Sequence, residues 1–91
     1  MEEHQLRQLR TLVKSNPSLL WYTRAYDQLN EEAIAEAIYN YGSWETVAEY
    51  HHILGLPAAK DVFERLRKKR RTNLLPKTQH FFALYYGKHT H

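Results

Sequence analysis

The sequence predicts a small all-α fold, a single domain spanning residues 1–91 and built as a bundle of about five helices. Apolar residues recur at spacings of three and four along most of the chain, as on one face of a helix. Capping and breaking residues separate these stretches. No segment is visible that would pair with a strand, and the chain is too short for a second core.

The composition excludes several classes of protein. Hydrophobic residues make up 43% of the chain and aromatic residues 13%, which is typical of a globular domain and not of a disordered one. The absence of cysteine excludes disulfides, a thiolate nucleophile and a cysteine-based zinc site. No apolar run approaches the ~20 residues that span a bilayer, and the N-terminus lacks the apolar segment of a signal peptide. We therefore expect a soluble cytoplasmic protein without a cofactor and without a membrane partner.

The first predicted helix is an extra N-terminal one, residues 3–15. It has four apolar residues on one side, namely Leu6, Leu9, Leu12 and Val13. Pro17 ends it, because a proline disfavours helical geometry in the residue before it. Residues 18–29 are too apolar for a solvated loop and follow no single period, so we expect a short helical turn and then an irregular, packed segment.

Asn30 and Ser43 are predicted to cap the next two helices. The first begins at Glu31, ends at Gly42, and should bury Ile34, Ala37, Ile38 and Tyr41. The second spans residues 44–54, and its expected buried face is Trp44, Val47, Ala48, His51 and Leu54.

A helix-turn-helix-like pair, 44–54 and 57–71, forms the centre of the predicted bundle. Gly55 is suited to closing one helix and Pro57 to opening the next. The second helix of the pair should bury Ala59, Val62, Phe63 and Leu66. Residues 77–86 fit either a buried strand or a helix. We favour a helix that ends before Gly87, because Thr78, Phe81, Phe82 and Tyr85 share a helical face.

Aromatic side chains at helical spacing usually belong to the core. We expect this of Trp21, Trp44, Phe63, Phe81 and Tyr85. Tyr39 and Tyr86 are the more exposed pair in this prediction. His51 lies within an apolar stripe and is expected to be a hydrogen-bonded core residue. No two histidines have the i, i+4 spacing of a helical metal pair, so no metal site is predicted.

Charge is unevenly distributed along the chain. Residues 1–50 carry four cations and eight anions, giving −4, whereas residues 51–91 carry nine cations and two anions, giving +7; the total is the net +3. Six cations occupy the seven positions from Arg65 to Arg71. The helix dipole favours one or two cations at a helix C-terminus, but six exceed this need and repel one another.

The candidate binding residues are therefore Lys60, Arg65, Arg67, Lys68, Lys69, Arg70, Arg71 and Lys77. Such a cluster can neutralise the phosphates of a nucleic acid, and the alternatives are an acidic protein partner or a plain solvated helix end. The start of the helix from Pro57 lacks base-reading side chains, which favours backbone contact over sequence readout. Pairing of these cations with the protein's own carboxylates would argue against a negatively charged partner.

Residues 19–87 resemble an uncharacterised family of small bacterial domains. The segments that carry the resemblance are Leu20–Trp21, Asp27–Asn30, Tyr39–Glu45, Arg70–Arg71 and Leu75–Gly87. The chain departs from the family pattern at Tyr22, Leu75 and Phe82, where an acid, a serine and a tryptophan are usual. Members are often encoded beside abortive-infection-type nucleotidyltransferase toxins, so the resemblance implies an antitoxin-like or accessory role.

Catalytic residues are not apparent. The three glycines are isolated helix stops, so no loop is suited to cradling a phosphate, and no carboxylate pair shares an apolar face. The leading hypothesis is a non-enzymatic accessory or antitoxin-like protein that contacts a nucleic acid backbone through its basic helix end. The alternatives are a module that binds an acidic partner protein such as a cognate toxin, and a structural homodimer formed through Tyr39, Tyr86 and the first helix.

Overall fold

The computed structural model describes residues 3–16, 19, 30–70 and 72–89. Within them the chain forms five α-helices and no strand, which confirms the predicted all-α bundle. The helices are α1 (Glu3–Lys14), α2 (Glu31–Tyr41), α3 (Trp44–Leu54), α4 (Leu56–Arg67) and α5 (Pro76–His89). Apart from Leu19, which is buried, the segment 18–29 lies outside the described residues, as does the core position predicted for Trp21.

The predicted caps are present. The Asn30 side chain accepts a hydrogen bond from the backbone N–H of Ala33 at 2.8 Å, and Ser43 accepts one from Thr46 at 3.2 Å. Each bond satisfies a donor that the first turn of a helix leaves unpaired. Gly55 alone separates α3 from α4, and its φ of +83° is a conformation that side-chain-bearing residues rarely adopt.

Three helices, α2, α3 and α4, form the centre of the bundle and contact one another. The helices α2 and α3 also contact α1, and α4 also contacts α5. Their shared core is closely filled and partly aromatic; its largest fully buried side chains include Tyr50, Tyr86, Phe63, Ile34, Ile38 and Leu66. This arrangement leaves α1 and α5 with one packed side each.

The predicted helix 57–71 ends early, at Arg67. Lys68 is its C-cap, and the N–H of Lys69 bonds to the Leu66 carbonyl in a tight turn. A longer helix would place like charges three and four residues apart on the same side, which is unfavourable. The turn also takes Lys69 to a carboxylate on α2.

The segment 77–86 is a helix, as favoured, but its predicted end is wrong. The helix α5 begins at Pro76 and passes through Gly87 to His89. A glycine near a helix end costs only about 1 kcal/mol relative to alanine, and the cation Lys88 suits the negative end of the dipole. Asn40 fixes the entry to α5, since its side chain accepts from the Leu75 N–H and donates to the Asn73 carbonyl.

Two predicted buried faces differ from those in the structure. The side chain of Tyr41 is 57% exposed at the end of α2. The face that α3 buries is formed by Thr46, Val47, Tyr50 and Leu54, which is rotated away from the predicted stripe. Trp44 and Ala48 are therefore exposed. Periodicity located the helix correctly, but the positions of α1, α2 and α4 determine which side is covered.

Among the described helices, none has the length and hydrophobicity required to cross a lipid bilayer.

Two glycine substitutions should change stability in opposite directions. A Cβ at Gly42 would lie 2.6 Å from the Ile38 carbonyl oxygen, whereas a Cβ at Gly87 would meet nothing within 4 Å. We expect Gly42→Ala to lower the free energy of unfolding by about 1–3 kcal/mol, and Gly87→Ala to raise it by up to about 1 kcal/mol. Urea denaturation followed by circular dichroism measures both. A stabilised Gly42→Ala variant would contradict the close approach at this junction.

Candidate partner-binding surface

The predicted basic run, residues 65–71, does not lie on one helix. Arg65 and Arg67 belong to the last turn of α4, and Lys69 and Arg70 follow the C-cap. Arg71 lies outside the described residues. The other two candidate residues lie outside the run. Lys60 precedes it within α4, and Lys77 follows it in the first turn of α5.

Carboxylates of the protein itself neutralise part of this run. The Arg65 guanidinium donates to Oε1 of Glu31 at 3.0 Å, and the Lys69 ammonium donates to Glu32. Both acids belong to the first turn of α2, where the helix dipole already favours them. The bond to Glu32 raises the pKa of Lys69.

Arg67 also has partners within the protein. Its guanidinium lies 3.5 Å from Glu64 and 5.7 Å from the centre of the Phe63 ring. The remaining described candidates form no ion pair with a described carboxylate; they are Lys60, Lys68, Arg70 and Lys77.

These pairs weaken the hypothesis that the basic run binds a phosphate backbone. An approaching phosphate would meet the carboxylates of Glu31, Glu32 and Glu64 among the cations. The pairs are solvent-exposed, so each contributes at most about 1 kcal/mol and does not remove its cation permanently. They nevertheless reduce the positive field at the end of α4.

A second surface consists of aromatic side chains and is called here the aromatic shelf: Trp44, Phe81 and Tyr85. Ring centres are 5.3 Å apart for Trp44 and Tyr85, and 6.4 Å apart for Trp44 and Phe81. Trp44 is 53% exposed and Phe81 51% exposed, so the prediction that both belong to the core is wrong. The helix α5 buries Thr78, Phe82 and Tyr86 instead, which places Phe81 on its outer side.

The outer side of α5 continues the shelf. Lys77, Phe81, Leu84 and Lys88 follow one another at i, i+4, i+7 and i+11, which places them on one helical stripe, and all four are exposed. Leu84 is 62% exposed. A depression of about 260 Å³ adjoins this stripe, lined by Trp44, Lys77, Phe81 and Phe82 among others.

Positive charge lies on the α5 side of the shelf. The sequence of α5 contains two lysines and two histidines and no acidic residue. Trp44 belongs to α3, which carries the acids Glu45 and Glu49 one turn apart on a shared helix face. Glu49 lines a groove between α1 and α3. The shelf therefore combines exposed apolar rings with the cations of α5, and the acids of α3 belong to the other helix.

Behind the shelf lies a buried hydrogen-bond network of three tyrosines and a histidine. Tyr39 and Tyr86 were predicted to be exposed, but their side chains are only 4% and 1% exposed. The Tyr39 hydroxyl lies 3.2 Å from the Tyr50 hydroxyl, 2.9 Å from the Ala59 carbonyl oxygen and 2.9 Å from the Tyr86 hydroxyl. Burial raises the pKa of all three tyrosines, so they stay protonated.

Counting protons gives the direction of these bonds. Because the Ala59 carbonyl can only accept, the one hydroxyl proton of Tyr39 is donated to it, so Tyr86 donates in the bond between Tyr86 and Tyr39. The Tyr86 oxygen lies 2.7 Å from Nε2 of His51. Because Tyr86 has already donated its proton, Nε2 of His51 carries a hydrogen and donates to Tyr86.

His51 joins this network to the shelf. Its ring is half-buried and stacks on Tyr85, with ring centres 5.6 Å apart and planes 10° apart. Burial lowers the pKa of His51 below its ordinary value of 6.5. The predicted role of a hydrogen-bonded histidine thus agrees with the structure, although the ring is at the edge of the core.

The groove between α1 and α3 has a volume of about 650 Å³ and is lined by His4, Arg7, Thr11, Glu49, His52 and Ile53 among others. The Thr11 hydroxyl donates to the Arg7 carbonyl and is thus already bonded within its own helix. Within residues 3–16, 19, 30–70 and 72–89, no group of three or more histidines and carboxylates could hold a metal ion. No specific ligand chemistry distinguishes this groove.

Sequence reasoning did not identify the shelf as a surface, although a signal was present. Apolar residues occur on both faces of residues 76–89, and such a helix is either covered on both sides or exposes one apolar face. The choice between these two arrangements depends on where the neighbouring helices lie, and periodicity does not predict their positions.

Comparisons of the chain with protein-family models, with curated proteins and with solved structures gave no match.

Removing one hydroxyl should test the tyrosine network. In Tyr39→Phe, the Tyr86 hydroxyl loses its acceptor and the Ala59 carbonyl loses a donor in a buried site, so we expect the free energy of unfolding to fall by about 1–3 kcal/mol. Tyr41→Phe is the matched control, since Tyr41 is exposed on the same helix. Urea denaturation compares the two variants. Equal stability of both would show that the buried hydroxyl contributes nothing net.

His51 should make stability depend on pH. The pKa of His51 is lowered in the folded protein, so the unfolded chain binds a proton at His51 more readily. The contribution of neutral His51 to the free energy of unfolding is therefore complete above about pH 6.5. This contribution is lost as the pH falls from 6.5 toward the lower pKa of His51 in the folded protein. Chemical denaturation across this range should show a slope that His51→Gln reduces. The neighbouring His52 is exposed, so His52→Gln is the matched substitution with which the effect of His51→Gln is compared.

Proposed function

We propose that this protein is a non-enzymatic interaction module that binds an acidic partner protein through the aromatic shelf and the outer side of α5. In line with the family resemblance of residues 19–87, the proposed role is antitoxin-like or accessory, and the proposed location is the cytoplasm. The proposal moves the main contact from the basic end of α4, which the leading sequence hypothesis favoured, to α5.

The observation that carries the proposal is the exposure of large apolar side chains on one surface. Trp44, Phe81 and Leu84 are each more than half exposed. Contiguous exposed apolar side chains rimmed by polar groups are typical of protein–protein contact sites. Aromatic residues are also enriched at the centres of such interfaces, where they contribute most of the binding energy.

Electrostatics favours an acidic partner. The lysines at positions 77 and 88 flank the apolar stripe, and α5 has no acid to neutralise them. An acidic surface would be attracted toward this side of the molecule, which increases the rate of association and disfavours basic partners. Lys68 and Arg70, which pair with no described carboxylate, add to the positive field.

Nucleic acid contact is the second candidate function. The exposed cations Lys68 and Arg70 favour it, because they are not neutralised by described carboxylates. Its signature is a steep fall of affinity with salt. About five phosphate contacts on a duplex would give a slope near −4 to −5 in a plot of log K against log salt.

Co-purification with the product of the adjacent gene tests the proposed function. We expect the pair Phe81→Ser/Leu84→Ser to reduce recovery of the partner at least tenfold, because the interface loses two apolar side chains of the kind that dominate binding. Both positions are exposed, so circular dichroism should show an unchanged fold. Lys68→Glu/Arg70→Glu is the contrasting variant and should reduce recovery much less.

If Lys68→Glu/Arg70→Glu reduces recovery of the partner more than Phe81→Ser/Leu84→Ser does, the interface lies on the basic run. Duplex DNA and tRNA, titrated by fluorescence anisotropy over a range of salt concentrations, separate the two candidate functions. Tight, steeply salt-dependent binding that Lys68→Glu/Arg70→Glu abolishes would replace the proposed function with nucleic acid binding.

A further inference from the structure

We infer that the occupant of this surface is an acidic amphipathic helix, which lies along α5 and places two apolar side chains between two carboxylates. This inference rests on the proposed function and specifies the chemistry of its partner. It follows from the spacing of the exposed stripe, the absence of acids on α5 and the shape of the adjoining depression.

The bundle covers only one side of α5. Thr78, Phe82 and Tyr86 are buried against the bundle, while Phe81 and Leu84 lie on the outer side and are more than half exposed. A helix with apolar side chains on both faces is typical of a helix buried on both sides. The outer stripe therefore lacks the neighbour that its composition favours.

The spacing of the exposed stripe suits a helical partner. Phe81 and Leu84 are three residues apart, as are successive contact positions where two helices pack. A strand would be a poor occupant, because its backbone donors and acceptors would be partly buried against side chains that cannot pair with them. Stacked bases are also disfavoured, since Leu84 offers no aromatic face.

The two lysines of the stripe suit a partner with two carboxylates. Lys77 and Lys88 lie eleven residues apart on the stripe, or roughly 16 Å along the helix axis, and both are exposed. A partner helix with carboxylates at its own positions i and i+11 can pair with both lysines. Its apolar residues at i+4 and i+7 then face Phe81 and Leu84. The depression beside Trp44 and Lys77 has room for one apolar side chain of the partner.

The charges near the stripe favour a negatively charged partner. His80 and His89 are the remaining titratable groups of α5 apart from the tyrosines, and neither carries negative charge. Glu49 of α3 lines the groove against α1, and Glu45 lies one turn before it on the same helix. A basic helix would therefore meet two unpaired lysines, whereas an acidic helix would find two partners.

Synthetic helices provide the test with the full-length protein. The probe is an 18-residue capped peptide of good helix formers, with glutamate, leucine, leucine and glutamate at i, i+4, i+7 and i+11. Two matched peptides carry lysine in place of both glutamates, or serine in place of both leucines. Amide and indole chemical shifts of the ¹⁵N-labelled protein report where each peptide binds and how tightly.

We expect the acid-flanked peptide to shift the Trp44 indole and the amides of residues 77–88. The lysine peptide should bind roughly fivefold or more weakly, as two exposed ion pairs allow, and the serine peptide should not bind. Lys77→Glu/Lys88→Glu should reverse the preference between the acidic and basic peptides. Lys68→Glu/Arg70→Glu lies off the stripe, is the matched comparison, and should change the preference much less.

Several outcomes would overturn this inference. Equal binding of the acidic and basic peptides, shifts confined to other surfaces, or no binding by any peptide would exclude the acid-flanked helix. A dimer in analytical ultracentrifugation that Phe81→Ser/Leu84→Ser dissociates would make a second copy of the chain the occupant. If an oligothymidylate shifts the same resonances more strongly than the acidic peptide, stacked bases replace the helix.

The inference and the proposed function fail in different ways. If Phe81→Ser/Leu84→Ser releases the partner protein but Lys77→Glu/Lys88→Glu does not weaken its binding, the acid-flanked geometry is wrong and the interaction surface remains. If neither variant affects partner binding, the proposed function itself is wrong.

Discussion

The hydroxyl of Tyr39 is the point at which four helices of this small bundle meet. Tyr39 itself comes from α2, Tyr50 from α3, the Ala59 carbonyl from α4 and Tyr86 from α5, and all three groups lie within 3.2 Å of its oxygen. A buried hydroxyl without partners is costly, so these helices are stable only in the register that satisfies it. Small cores of this size have little apolar area to spare, and a directional network adds specificity that apolar packing alone supplies less well.

This constraint also positions the surface. Tyr86 must point inward to reach Tyr39, and this fixes the rotation of α5 about its axis. Phe81 and Leu84, five and two residues earlier on the same helix, then point outward, while Tyr85 lies between His51 and Trp44. The exposed apolar stripe is therefore a consequence of the buried network, because one helix cannot direct residues 81, 82, 84, 85 and 86 all to one side.

The packing of the helices also determines which charged side chains lie next to each other. The packing of α4 on α2 brings the acidic first turn of α2 to the basic end of α4, and the two halves of the sequence that carry −4 and +7 partly neutralise each other there. No such acids accompany α5, so its lysines remain available beside the apolar stripe. A basic run that is conspicuous in the sequence is thus partly neutralised, whereas two isolated lysines become the distinctive charges of the candidate interface.

The sequence by itself determined the helical fold, the two side-chain caps at Asn30 and Ser43, and the bend at Gly55, because these depend on residues within one turn of one another. It did not determine which face of α3 and α5 is buried, where α4 ends or which cations find a carboxylate. Trp44 and Phe81 were expected inside, and Tyr39 and Tyr86 outside, since periodicity gives the spacing of a stripe but not its direction. Only the tertiary structure decided these points, because burial and ion pairing depend on residues that are far apart in the chain and adjacent in space.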